Sequence, residues 1–260
     1  MNHRKKLDIA VQREYKVVKA NEIIQKARYD LNVHELKLLS FIFSKVKPTD
    51  TEIQPYTFSI KEYCQICGID YKNGKNYITI KKSLKSLRDK SFWLKDENGD
   101  ETTVGWLQKV TIRSGSGKIV ATLDPDLQKY VVGLFENFTQ YELLSTLPMQ
   151  SSYSIRIYEL LKSYAFTKSH VFDIADLKRQ LSCEHYERFP DFRRKVIEIA
   201  VRDINLYTDL EVSWEPIKDG RKITQIRVYI KTKETFERIQ AQYKAIDQIE
   251  GQMDIEDYYK

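Results

Sequence analysis

Residues 189–231 read FPDFRRKVIEIAVRDINLYTDLEVSWEPIKDGRKITQIRVYIK, and this stretch decides the fold. The basic triplet Arg193-Arg194-Lys195 opens a segment, Val196, Ile197, Ile199, Ala200, Val201 and Ile204, that is apolar in more than one helical phase, so one side must be core. Leu210, Val212 and Trp214 then alternate with Glu211, Ser213 and Glu215, as a strand with one wet face requires. Asp219-Gly220 suits a type I′ turn, and Ile223, Ile226, Val228 and Ile230 supply the returning strand. Helix, strand, tight turn and strand in this order predict a winged helix. In the form of that fold that reads DNA, the helix enters the major groove and the hairpin lies beside the backbone, which puts Lys218, Arg221 and Lys222 at phosphates.

Working outward, Val171-Phe172 and an Asp173-capped helix to Leu181 precede the stretch, with helices expected over 152–166 and 140–145. Downstream, Phe236, Ile239, Tyr243 and Ile246 predict an amphipathic helix over 233–246, and the acidic DQIEGQMDIEDYYK from residue 247 is expected to be disordered. The first half has the same order. A helix over 21–29 is followed by one that Asn32 caps with Glu35, and Tyr56–Ile60 predicts a strand leading into a Ser59-capped helix that ends at Gly68. A helix over 75–90 carries the stripe Tyr77, Ile80, Leu84 and Leu87, while Lys75, Lys82 and Lys85 point away and Lys81 and Arg88 flank the boundary. It is a second candidate recognition helix. Strands at 92–94, 102–112 and 118–123 follow, joined at Asn98-Gly99 and at a Ser-Gly turn.

An internal repeat is visible directly: FSIKEY at 58–63 and FDIADL at 172–177 lie 114 residues apart, as do Arg88-Asp89 and Arg202-Asp203. The same offset sets Ile80 against Arg194 and Leu84 against Glu198, so the order of elements repeats while the helical stripes fall out of phase. The expected architecture is α+β, two tandem winged-helix domains with pseudo-repeat organisation. Its parts are an arm at 1–19, domains at 20–135 and 136–246, and a tail at 247–260.

The 260 residues carry a net charge of +6, and residues 1–135 hold 24 Lys/Arg against 16 Asp/Glu. That excess favours a polyanionic partner. No run approaches the roughly 18 apolar residues of a membrane span, and MNHRKKLDIAVQREYK is charged throughout with no apolar signal segment, so no membrane association and a cytoplasmic location are expected. Three cysteines give no disulfide framework and fit a reducing compartment.

The string FRRKVIEIAVRDIN with its strand, DGR turn and strand, together with NEIIQKARYDLNVHELKLL upstream, resembles the initiator Rep proteins of iteron-containing, theta-replicating bacterial plasmids over residues 17–235. The resemblance implies two winged-helix domains that bind repeated origin sites (iterons) in double-stranded DNA, help open an adjacent AT-rich region, and recruit the host initiator and replicative helicase. It also implies a monomer–dimer equilibrium made mainly through the N-terminal domain, with the dimer repressing the protein's own gene. Carried onto this chain, it assigns major-groove reading to Arg193 and Arg194, since an arginine can donate two hydrogen bonds to a guanine edge. Lys195, Lys218, Arg221 and Lys222 become phosphate contacts, and Lys75, Lys81, Lys82 and Lys85 contact phosphate or groove on the other half of the site.

Other chemistries are poorly supplied. His185-Tyr-Glu-Arg188 has the H-x-x-R form of tyrosine recombinases, but the candidate nucleophiles among the 17 tyrosines, Tyr207 and Tyr229, fall at a helix end and in the wing. His3, His34, His170 and His185 include no histidine–hydrophobe–histidine pair of the kind rolling-circle initiators use. Cys64, Cys67, Cys183 and His185 form a zinc-like set only on paper, because Cys64 and Cys67 share a helix in one module and Cys183 belongs to the other. No phosphate-binding GxxxxGK[ST] loop occurs. No cofactor, metal or enzymatic activity is therefore expected. A double winged-helix transcriptional repressor without a replication role shares every DNA-binding argument and stays open, as does a winged-helix protein–protein adaptor.

Overall fold

The computed structural model of the protein describes residues 11–95 and 98–258. β1 (Lys16–Ala20) runs into α1 (Asn21–Lys26), and α2 (Val33–Phe43) follows. Asn32 accepts from the Glu35 amide at 3.0 Å while Glu35 accepts from the Asn32 amide at 2.9 Å. This reciprocal cap satisfies two amides that the first helical turn leaves open and is worth about 1 kcal/mol. β2 (Tyr56–Ser59), α3 (Ile60–Cys67) and α4 (Gly74–Asp89) come next, then the hairpins β3 (Ser91–Lys95)–β4 (Glu101–Gly105) and β5 (Leu107–Arg113)–β6 (Lys118–Leu123). The chain continues through α5 (Gln128–Val131), β7 (Phe138–Glu142), α6 (Ser152–Ser163), β8 (Ser169–Asp173) and α7 (Ile174–Gln180). Next come α8 (Phe189–Phe192), a π-helical turn (Arg193–Ile197) and α9 (Glu198–Tyr207), followed by β9 (Leu210–Asp219) and β10 (Lys222–Thr232). α10 (Thr235–Tyr258) is last.

The repeat is a repeat of topology. Both three-stranded sheets are antiparallel with the same order, β2-β6-β5 and β8-β10-β9. Ser59 and Asp173, 114 residues apart, cap the helices that follow the first strand of each sheet. The offset then fails: Phe58 pairs with Ile119 and Phe172 with Ile226, and Ile119 and Ile226 are 107 residues apart. The first module inserts β3–β4 between recognition helix and wing. The Asn98-Gly99 turn belongs to that insertion, and the wing turn of the first module is Ser114–Gly117. The expected single strand over 102–112 is broken at Trp106, whose ring is buried against Tyr29 and Phe92 with centroids 4.8 and 4.3 Å away.

Three boundaries differ from expectation. Residues 16–19, assigned to the arm, lie in β1, which pairs antiparallel with β7, so the stretch over 140–145 begins as strand where a helix was expected. Val17 and Lys19 on one strand and Thr139 and Tyr141 on the other face inward. Lys19 misleads in the sequence because its partner is remote: its Nζ reaches Glu159 Oε1 at 2.5 Å, with both groups buried, and the Tyr141 hydroxyl donates to the same oxygen at 2.5 Å. Such a pair closes only when β1 and α6, far apart in the chain, are already packed together. The tail also differs, since the helix expected to stop at 246 continues to Tyr258. Ala241, Ala245 and Ile249 supply a buried i, i+4, i+8 stripe, and Glu250 lies 3.8 Å from Arg13. Residues 1–10 of the expected arm and 259–260 of the expected tail lie outside the described residues.

One apolar core runs beneath both three-stranded sheets, and the first helices meet α6 across a polar seam. The Arg156 guanidinium sits 3.7 Å over the Tyr29 ring and donates to the Ala27 carbonyl at 3.2 Å. Burial lowers its pKa to about 10, above neutral pH, so the seam contains a charged guanidinium. Gln25 donates to Ser163 at 3.0 Å nearby. These contacts tie α6, against which α9 packs, to the first helices of the chain.

Candidate nucleic-acid interface

α4 is anchored by Ile80, Leu84 and Leu87, which are buried, and begins at Asn73, whose side chain accepts from the Lys75 amide at 3.0 Å. The opposite face presents Lys75, Lys82 and Lys85 to solvent, with Lys81 exposed at its flank, and Lys85 is bonded to Asp89 one turn on. Tyr77, expected in the buried stripe, is 40% exposed because it stands at the stripe's edge. Between α4 and the β5–β6 wing runs an open groove of about 700 Å³ that includes Lys81, Lys85, Arg88 and Arg113 and no acidic residue. Gly115 and Gly117 of the wing turn have positive φ and border the groove, leaving backbone rather than side chains at its lip. Arg113 was missed in the sequence. The wing-tip reasoning applied to Lys218 and Arg221 would have found it once the Ser-Gly turn, and not Asn98-Gly99, was taken as the wing.

In the second module, Arg193, Arg194 and Lys195 are exposed at the start of the recognition helix. In an α-helix residues five apart stand about 140° apart around the axis. Here the Glu198 amide donates to the Arg193 carbonyl, closing a π turn. The turn brings the two side chains together, with Arg193 Nε 3.0 Å from Glu198 Oε1. Arg194 is held by Asp191 at 3.4 Å, and Lys195 lies 5.4 Å over the Tyr186 ring. Both arginines are thus oriented by acids on their own helix. Deeper in the helix, the buried Asp203 accepts from the Ser154 hydroxyl at 2.7 Å and from Arg202, which fixes α9 against α6.

The wing turn differs by one residue from expectation. Asp219 pairs with Lys222, so the turn's central residues are Gly220 and Arg221, and positive φ occurs at Gly220 and not at Arg221. That is the pattern of a type II′ turn in place of type I′. Lys218, Arg221 and Lys222 are exposed at or beside this tip and make no ion pair among the described residues. Arg221 and Lys222 line a cleft of about 820 Å³ with Phe189 and Pro190, so the wing tip and the start of the recognition helix border one opening. Lys178 and Arg179 line it as well, but so do Asp173, Glu184 and Glu187, so its charge is mixed. Lys178 holds the preceding loop by donating to the carbonyls of Tyr186 and Glu187.

The remaining candidate chemistries are placed elsewhere. The Tyr207 hydroxyl donates to Gln248 at 3.4 Å and that of Tyr229 to Glu215 at 2.7 Å. Cys64, Cys67 and Cys183 are buried, and burial pushes each thiol up to about 12, which keeps them protonated at neutral pH. Among the described residues no helix is long and apolar enough to cross a membrane.

The fold and its two grooves define a protein with two winged-helix modules. Residues 16–162 match the family described as initiator replication protein, WH1, and residues 173–230 match initiator Rep protein, WH2; the chain belongs to this initiator Rep family. The two matches part between residues 162 and 173, whereas the sequence reading divides the chain at 136. A replication initiation protein of Escherichia coli is 26% identical over 211 residues, which cover 76% of this chain and 65% of the relative. The PI protein of Escherichia coli is 26% identical over 126 residues, covering 42% of this chain and 41% of the relative. A crystal structure of Pi initiator protein in complex with iteron DNA has the same fold, with a TM-score of 0.71 at 18% identity, over 85% of this chain and 99% of that one.

Proposed function

We propose that the protein initiates plasmid replication by binding repeated origin sequences in double-stranded DNA through both winged-helix modules. The observation that carries this reading is the duplicated recognition-helix-and-wing unit, with exposed cations on both recognition helices and at both wings. Membership of the initiator Rep family supports it. Arg193 and Arg194 exchange Glu198 and Asp191 for base edges, while Lys195, Lys218, Arg221 and Lys222 take phosphates. Lys75, Lys81, Lys82 and Lys85, joined by Arg88 and Arg113, grip the backbone on the other half of the site.

The mechanism has no covalent step. Two heads fixed by the buried seam engage successive major grooves on one face, and repeated binding bends the origin and favours opening at flexible TA steps. Host initiator and helicase are recruited to the opened DNA, and a dimer formed through the first module represses the protein's own gene. The test is binding of the purified protein to its plasmid's upstream repeats and to scrambled duplex at two salt concentrations, with Arg193→Ala/Arg194→Ala alongside. The reading requires selective, salt-sensitive binding whose selectivity over one half of the site the double variant loses. Equal weak binding to both duplexes by all proteins would overturn it.

A further inference from the structure

Ile78 stands where neither folding nor charge accounts for it. It lies one turn into α4 and is 52% exposed. At about 100° per residue, Lys75, Ile78, Lys82 and Lys85 fall on one face of the helix, with Ile80, Leu84 and Leu87 on the other. An apolar side chain therefore sits in the middle of an exposed lysine field. It adds little to the core, and a β-branched residue lowers helix propensity relative to lysine or alanine. No such residue interrupts the other recognition segment, since none of the large exposed hydrophobic side chains lies between Phe189 and Tyr207.

We propose that Ile78 is a specificity-determining residue of the first module, packing on thymine C5-methyl groups in the major groove while the lysines around it hold the flanking phosphates. The proposal rests on the duplex-binding reading above and deepens it. Charge complementarity selects the occupant: an apolar partner carrying no negative charge nearby would leave Lys75 and Lys82 facing it without compensation, whereas a duplex supplies phosphates on both sides of the groove. The thymine methyl is the one apolar group on the major-groove edges, so an isoleucine delivered there discriminates by burying it. The geometry also fits. A helix about 10–12 Å across enters a groove about 12 Å wide, and the leading turns of a recognition helix are those that reach the base edges.

The test uses the full chain and duplexes that it selects from a randomised pool, synthesised once with thymine and once with uracil, which lacks only the methyl. The wild-type protein is expected to bind the uracil duplex more weakly, by roughly 4-fold for each methyl contacted, from the value of one buried methylene-sized group. Ile78→Ala should bind the thymine duplex more weakly and lose most of the thymine-over-uracil preference, with an unchanged thermal midpoint because the side chain is half exposed. Ile78→Lys should lose the preference while keeping or raising affinity for scrambled duplex. Ile78→Ala that retains the full wild-type preference, or that weakens both duplexes equally, overturns the proposal and leaves duplex recognition standing. A shift of Ile78→Ala in sedimentation, with DNA preference intact, would overturn it in favour of contact with a second copy. Failure of the wild-type protein to select any sequence from the pool would instead remove the duplex-binding reading itself.

Discussion

The two recognition helices present different chemistry on the same scaffold. α4 is a regular helix whose outer face is lysine with one isoleucine inside it, beside a groove without acids. The segment over 189–207 presents two arginines, each tied to an acid of its own helix across or next to a π turn, beside a cleft of mixed charge. Lysine is a mobile point charge suited to phosphate, and arginine is a planar fork suited to two acceptors on one base. A duplicated fold carries two different surface chemistries here. In our account the first module holds the duplex chiefly by charge and apolar contact, and the second reads it by directed hydrogen bonds.

The largest effect should come from removing the forks. Arg193→Ala/Arg194→Ala is expected to cost about 2–6 kcal/mol of discrimination between the repeat and scrambled duplex, from roughly 1–3 kcal/mol per bidentate contact, and competition binding measures it. Removing lysines should act differently. Lys81→Gln/Lys82→Gln/Lys85→Gln should weaken binding to all duplexes alike and reduce the slope of log affinity against log salt by about three, from about one counterion per phosphate contact. A triple variant that changed selectivity and left the slope alone would break the comparison.

A smaller and purely structural contrast lies in two glycines. Gly68 ends α3 with φ +67°, and a Cβ there would meet both the side chain and the carbonyl oxygen of Ile249 on α10 at 2.4 Å. Gly220 has φ +57° in the second wing and nothing within 4 Å. Gly68→Ala should therefore lower stability by about 2–4 kcal/mol, combining backbone strain with displacement of α10, and Gly220→Ala by about 1 kcal/mol from strain alone. Denaturant unfolding measures both. Equal losses would mean that α10 does not rest on Gly68.

The mildest perturbation is pH. The three thiols have folded values of about 12 against an ordinary 9.0, so the unfolded chain releases their protons first. A raised folded pKa gives stability that is fully present below about pH 9 and lost as pH rises toward about 12. Lys37 opposes this between about 8 and its ordinary 10.5, because burial lowers it and the unfolded chain binds its proton more readily. Lys19 and Lys233, also lowered by burial, oppose it as well, while Tyr63, Tyr141 and Tyr158, raised by burial, add to it, so the denaturation midpoint should fall above pH 9, and Cys67→Ala should flatten that fall. A midpoint that rose steadily from pH 9 to 10.5 would contradict the burial of the thiols.

Much of this was legible in the chain because it is local. The caps at Asn32, Ser59 and Asp173, the Gly68 terminus and the β9–β10 hairpin depend on residues within a few positions of one another. What was not legible depends on remote partners. Lys19 enters the core only because Glu159 awaits it, β1 is a strand only because β7 is beside it, and α10 extends past 246 because Ile249 meets Gly68 in the other module. The site divides in the same way. The exposed cations of both helices could be named from spacing, whereas the Arg193–Glu198 pair needs the π turn and the part played by Arg113 needs the correct wing.

The most direct test of the division of labour is a titration of three proteins, wild type, the double arginine variant and the triple lysine variant, with selected duplex and with versions scrambled in one half or the other, at two salt concentrations. Our account predicts that the arginine variant becomes indifferent to scrambling of one half while keeping most of its salt slope. It predicts that the lysine variant still distinguishes every scrambled duplex at a reduced slope. A lysine variant that lost discrimination while the arginine variant retained it would contradict the assignment of reading to the second module.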